Sequence, residues 1–522
     1  MQGSSCIRRF FVRPRNSSFV RGLLVACLLA DTAVFAGALP QDLAAKARRG
    51  REAMAAGRFD EAAVLYAEVT RALPDEPGML LNLGMALSMA GRPREAIPQL
   101  QAALKVRPDL LPASLFLGVA HLDLGQPAQA VPPLQKVVAA QPDNQEARRR
   151  LADALWSLER FEPAVQQFRE LTERDPKDPR AWYGLARSYE GLARGPFEEL
   201  QHSAPESHYL VLLVAQAMEA QGKLANAFRL YREVLDKQPH LADAHEALAR
   251  IYEQKDHADW AAIEREKALR APPPDCRSRS LECEFRAGRY TAVLTAAMPL
   301  TTTEGRYWLS RAASALADAA FARLAELPPS PEATLRRVEV LLAQKRPLGE
   351  AMEDLKQAAA AWPDDVRIRR EQAKVLYLAK DAEGAIPLLE DLLKLEPGSD
   401  DLALLLGESL LKILQPAKAV AVLEGLVRRD PKLLPAQAAL GRAYLEAGEM
   451  AKAIAPLQAA LETDTDGSLH YQIARAYRAT GRADLASQAL QEFQRLQEAE
   501  DAERQSLREE FTITPPEGGR FP

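Results

Sequence analysis

Large apolar side chains within residues 77–109 recur three and four apart: Leu80, Leu83 and Leu87, with Gly84 beside them. That spacing places them on one face of a helix. Gly91-Arg92-Pro93 interrupts the pattern. Ala96, Leu100 and Ala103 then form the stripe of a second helix, which Pro108 closes. The small residues Gly84 and Ala96 predict a close approach of two helices packed as an antiparallel pair.

The same hairpin recurs in register. Gly57, Gly91 and Gly125 are 34 residues apart, as are Pro74, Pro108, Pro142 and Pro176. Hairpins are therefore expected over 43–76, 77–109, 111–144 and 145–178. Pro98, Pro132 and Pro387 share one position near the start of the second helix, where a missing N–H costs little. The register slips over 179–206, which has no turn where one is due and predicts one long helix. Hairpins resume over 208–241 and 242–275, and Pro272-Pro273-Pro274 ends them. Residues 276–303 read as a degenerate hairpin. Residues 305–331 repeat the earlier oddity: Tyr183, Phe197, Leu200 and Pro205 match Tyr307, Phe321, Leu324 and Pro329 in spacing. Five regular hairpins then run over 332–500, and the last ends polar, as a terminal cap should.

A large residue, Leu-Gly, a large residue, then Ala, a large residue, Ala and Pro over 34 residues resembles the tetratricopeptide repeat. In residues 77–109 those positions are Leu80, Leu83-Gly84, Leu87, Ala96, Leu100, Ala103 and Pro108. The resemblance covers about residues 43–500. It implies an all-α, right-handed superhelix, an α-solenoid, here with two irregular long-helix inserts. The expected organisation is 1–38 as a leader, 39–275 as a first array with the irregular helix at 179–206, 276–331 as degenerate repeats, 332–500 as a second array, and 501–522 as a helix end and disordered tail.

The resemblance also implies a working surface. In this family the first helix of each hairpin lines a concave face, and ligands meet positions 2, 5, 9 and 12 of the repeat. Carried onto this chain, those positions give an apolar group, Leu81, Met85, Leu115, Val119 and Leu122, which would suit an amphipathic partner segment or pack against neighbouring helices. Asp243, Glu246 and Glu253 then make an acidic patch. Arg336, Arg367, Arg370 and Lys374 make a basic one. The Lys and Asn pattern with which some relatives clamp a C-terminal carboxylate is missing: only Asn82 fits, and Ala47, Arg51, Pro112 and Phe116 do not.

Charge and composition narrow the class. Residues 1–21 carry Arg8, Arg9, Arg13, Arg15 and Arg21 and no acid, followed by a mostly apolar stretch and the small-x-small site Ala36-Gly37-Ala38. This is the layout of a secretory signal peptide, with an uncleaved membrane anchor as the alternative. Arg8-Arg9-Phe10-Phe11 resembles a twin-arginine signal, and Leu24-Val25-Ala26-Cys27 a lipoprotein box. Removing residues 1–38 takes away five Arg and one Asp, moving the net charge from −5 to −9. Nucleic-acid binders usually carry a basic surplus, so none is expected as a partner.

Motifs for chemistry are absent: no phosphate-cradling Gly-rich loop, HExxH or GxSxG. His240 and His245 read as exposed helix-surface side chains. No metal, cofactor or catalytic residue is expected, and no stretch outside the repeats is long enough for a catalytic domain. Cys276 and Cys283 form a disulfide only if Cys276 lies in a loop that folds back, since seven residues of helix span about 10.5 Å; bridge and free thiols stay open. The reading is an exported scaffold, periplasmic or secreted, that binds a protein or peptide segment within a cell-envelope assembly. The alternative is an envelope-biogenesis factor handling polysaccharide or outer-membrane proteins.

Overall fold

The computed structural model describes residues 41–510 and 513–516. The leader at 1–38 lies outside them. The described residues form twenty-six α-helices and one short 3-10 turn, with no strand. Consecutive helices pair as hairpins: Gln41–Ala55 with Phe59–Ala72, Pro77–Met89 with Pro93–Val106, Leu111–Asp123 with Pro127–Ala140, and Gln145–Ser157 with Phe161–Arg174. Pro77, Pro93, Pro127 and Pro416 each begin a helix, where the missing N–H has no intrahelical partner to lose.

The turn inside each hairpin makes one backbone demand. Gly57, Gly91 and Gly125 adopt φ of +73°, +76° and +68°, the left-handed region that glycine enters without a steric cost. One repeat length further on, Glu159 takes the same conformation at φ +58°. Asp256, Lys380 and Leu414 do so in other hairpins. The geometry of the repeat thus holds where its glycine is missing, at the expense of local strain.

Close packing explains the second glycine. A Cβ on Gly84 would lie 2.6 Å from Leu100 Cδ2, one on Gly118 2.5 Å from Leu134 Cγ, and one on Gly441 2.5 Å from Leu457 Cγ. Each pair is sixteen residues apart. The partner of Gly84 is therefore Leu100 on the second helix, with the Ala96 carbonyl farther off at 3.5 Å. Leu100 is completely buried.

The described chain divides into two compact units. The first takes residues up to Glu199 plus Cys276–Ala333; the second takes Leu200–Asp275 plus residues from Thr334 on. The order of the two units along the chain is thus interleaved. Its cause within the first unit is the meeting of the two long helices, Pro179–Ser203 and Thr303–Ala325. Ser310 Oγ donates to the Ala193 carbonyl at 2.9 Å, Arg306 pairs with Glu199 at 2.6 Å, and the rings of Tyr183 and Phe321 meet edge-on at 6.2 Å. Residue numbers rise on one helix as they fall on the other, so the helices run antiparallel. Apolar clusters fill each unit's hairpins, around Tyr66, Leu83 and Leu100 in the first and Leu389, Leu423 and Leu457 in the second.

Also in the first unit, the short helices Ser280–Arg286 and Tyr290–Ala297 form the degenerate hairpin. Cys276 lies in the loop before them and is bridged to Cys283, with Cα atoms 5.7 Å apart. The last helix among the described residues, Ala483–Glu510, ends the second array. Beyond it, Ile513–Pro516 departs from the expected disordered tail: Pro516 is buried, and Tyr252 Oη donates to the Thr514 carbonyl at 2.7 Å.

Candidate functional site

In the first unit the helices Pro77–Met89, Leu111–Asp123 and Gln145–Ser157 open successive hairpins, and their fifth and ninth residues share a register. Met85 and Leu115 are both 7% exposed and belong to the packed interior. Leu81, Val119 and Leu122 are half-buried. The apolar group is thus partly absorbed by neighbouring helices, and three of its five members keep a face outside.

One hairpin further the same register changes chemistry. Its second, fifth and ninth residues are Glu146, Arg149 and Asp153. Arg149 Nη2 pairs with Asp178 Oδ2 at 2.7 Å, and Arg150 Nε with Glu146 Oε1 at 2.6 Å. Asp153 is 8% exposed, and among the described residues its carboxylate has no salt-bridge partner. Burial pushes the Asp153 carboxyl up to about 6, against the pull of Arg150, Arg149 and Arg180 and with a small push from Glu146. Burial also opposes charge on Arg149, but Asp178, Asp153 and Glu146 outweigh it and raise its pKa. Arg149 Nη1 is nevertheless buried without a hydrogen-bond partner. A desolvated carboxylate and an unused guanidinium N–H, four residues apart on one helix, share a face. Such groups cost stability unless something completes them.

Asp153 and Arg149 were reachable from the sequence. The register that singles out Leu115 and Val119 gives Arg149 and Asp153 one repeat later. Their polar character hides them at positions that are apolar in the two preceding hairpins.

The second unit places its expected cations differently. Arg370 is 7% exposed and pairs with Glu396 and Asp401, so it takes no part in an open face. Arg367 pairs with Asp365 at 2.7 Å, Lys374 with Glu371 at 3.3 Å and Arg336 with Glu339 at 3.6 Å. Arg442 pairs with Glu408 at 2.8 Å, and Glu408 also accepts from Tyr377. The basic patch is a ladder of ion pairs. Several rungs join neighbouring hairpins: Arg370 to Asp401 spans 31 residues and Arg442 to Glu408 spans 34.

Of the expected acidic patch, Glu253 is paired to Arg265 at 2.6 Å. His245 is buried rather than exposed: one ring nitrogen meets Glu264 and the other the Pro239 carbonyl. Burial works against the Glu264 charge, but hydrogen bonds from His245 and Lys267 prevail and lower its pKa. Among the described residues no group of His, Cys, Asp and Glu is arranged to hold a metal ion, and no helix is long and apolar enough to cross a membrane.

Two family models, both described as tetratricopeptide repeat, match this chain, one at residues 53–115, 121–188 and 376–432 and the other at 90–145 and 348–400. The chain carries tetratricopeptide repeats. The mouse (Mus musculus) interferon-induced protein with tetratricopeptide repeats 3 is 30% identical over 136 residues, 24% of this chain. The chain spans about a third of that curated relative's length, 34%. Among solved structures, one of MamA is 29% identical, covering 29% of this chain and 84% of its own, with a TM-score of 0.28. A tetratricopeptide repeat protein from Parabacteroides merdae is 15% identical, covering 65% of this chain and all of its own, with a TM-score of 0.32.

Proposed function

We propose that this repeat protein is a non-catalytic scaffold that holds an extended segment of a partner protein against the first helices of residues 77–190. The supporting observation is the unmet pair on Gln145–Ser157: the Asp153 carboxylate and Arg149 Nη1. A peptide bond carries a donor and an acceptor a few ångströms apart, so a partner backbone, or a Lys or Arg beside it, would complete both groups. Half-buried Leu81, Val119 and Leu122 offer apolar contact on the same register. An apolar and charged lining suits peptide better than polysaccharide, for which aromatic platforms would be expected.

Export to the cell envelope belongs to the same proposal. Two features support it: the Arg-rich and then apolar sequence before Ala36-Gly37-Ala38, and the Cys276–Cys283 bridge, of a kind that persists mainly in oxidising compartments. Intact mass of the native protein tests it: loss of residues 1–38 is expected, and retention of the whole leader would contradict cleavage.

The binding proposal is tested by selecting peptides from a random library on the purified full chain, then mapping hydrogen-exchange protection. Selected peptides should pair apolar residues with Lys or Arg and protect residues 111–157. Protection confined to the second unit would overturn the assignment.

A further inference from the structure

A second surface, in the other unit, already holds a peptide. Helices His208–Ala220 and Leu224–Lys237 form one hairpin, and Ala242–Gln254 and Ala258–Arg270 the next. Their internal turns, at Gly222 with φ +70° and Asp256 with φ +61°, lie on one edge. Against that edge rests the chain's own segment Ile513–Pro516. Ile513 is half-buried in a cleft with Gly222, Lys223, Asn226 and Lys255. Thr514 and Pro515 are exposed, and Pro516 is buried.

The polar anchor is Tyr252. Its hydroxyl donates to the Thr514 carbonyl at 2.7 Å, and Arg232 hydrogen-bonds the phenol oxygen. Arg232 can only donate, so the phenolic hydrogen is left for the carbonyl of the bound segment. The ring is held by edge-on contacts with Phe228, centroids 5.6 Å apart, and Trp260, 5.5 Å apart; His257 stacks on Trp260 at 4.0 Å. Four rings therefore fix one hydroxyl.

The seated segment suits this anchor for physical reasons. Pro515 biases Thr514 toward extended backbone. The Thr514 carbonyl belongs to a tertiary amide with no N–H of its own to satisfy. Two consecutive prolines arrive with little conformational freedom left to lose. Aromatic surfaces that bind proline-rich segments exploit the same economy.

We propose that this turn edge is a recognition site for an extended peptide bearing an apolar residue, one spacer and two prolines, and that Ile513–Pro516 is the ligand the chain carries for it. A partner with such a segment binds by displacing the tail. The attached tail competes at an effective concentration on the order of millimolar, so only partners of matching chemistry, present at high local concentration, take its place.

The test uses the full chain and a fluorescent synthetic peptide with the sequence of residues 510–522, followed by fluorescence anisotropy. A Pro516→Asp chain should bind the peptide at least about tenfold more tightly than the wild type, because its own tail no longer competes. Adding Tyr252→Phe should weaken that binding about fivefold through one lost hydrogen bond. A peptide with both prolines changed to alanine should bind more weakly still. Pro516 lies beyond the last helix, and an unchanged melting temperature confirms the fold of that variant. Equal affinity for the two chains, no binding to the Pro516→Asp chain, or a wild-type mass showing dimers joined by exchanged tails would each overturn the proposal.

Discussion

The helix Gln145–Ser157 in the first unit and the helices Val366–Leu378 and Leu434–Glu446 in the second occupy the same place in their hairpins, yet they differ in how fully their charges are met. In the second unit, acids on the same helix, in the adjoining turn or in a neighbouring hairpin meet every cation named above, and Arg370 alone engages Glu396 and Asp401. In the first unit, Asp153 is desolvated with no salt bridge; a buried, unused guanidinium N–H is common to Arg149 there and to Arg370 and Arg442 in the second unit. Both units thus spend groove charges on joining repeats, Arg149–Asp178 included, while Asp153 stays desolvated without an ion-pair partner among the described residues. A charge paired within the fold and a charge left desolvated look alike in sequence and behave oppositely under mutation.

The largest expected effect lies in the ladder. Arg370→Ala leaves two acids facing one another near a buried position, and should cost about 3 kcal/mol in urea unfolding. A loss no greater than that of an exposed arginine such as Arg475 would break the comparison. Gly84→Leu should cost about 2 kcal/mol, because a side chain there meets Leu100 at 2.6 Å before any rotamer can relieve it. Gly84→Ala should cost less.

Asp153→Asn should move stability the other way. The folded-state pKa of Asp153 is raised to about 6, so the folded chain binds the proton more readily than the unfolded one. Its penalty is absent below the unfolded value, about pH 4, and is fully present above about pH 6. Asn should therefore raise stability at pH 7 by about 1–2 kcal/mol, with little effect at pH 4. An unchanged difference across that range would contradict the desolvation account. The smallest effect is Leu414→Gly: Leu414 sits at φ +57° and is 82% exposed. Removing its side chain should relieve strain at no packing loss and stabilise by about 1 kcal/mol by thermal melt.

The repeat was legible because the turn imposes one backbone requirement at a fixed interval, and glycine and proline mark it. Gly57, Gly91 and Gly125 give the period, and the structure keeps it even where Glu159 or Leu414 replaces glycine. The two long helices were legible one by one, from the missing turn and from the matched spacing of Tyr183 and Tyr307. Their pairing was not, since Ser310 and Ala193 are 117 residues apart and nothing periodic connects them. Side-chain roles were harder still. Arg370 stands at a position that usually faces ligand, but its length lets it reach Asp401 in the next hairpin. His245 looked like a surface residue because its partner, Glu264, comes from the following helix. Asp153 carries no local signal; only the register of the neighbouring repeats identifies its face.

The division between the two faces is tested most directly by measuring one library-selected peptide's affinity together with melting temperature, for Asp153→Asn and Arg442→Gln at pH 7. The account predicts that Asp153→Asn raises the melting temperature and weakens the peptide at least tenfold, while Arg442→Gln lowers the melting temperature and leaves affinity unchanged. The reverse pattern, or two variants that behave alike, would contradict it.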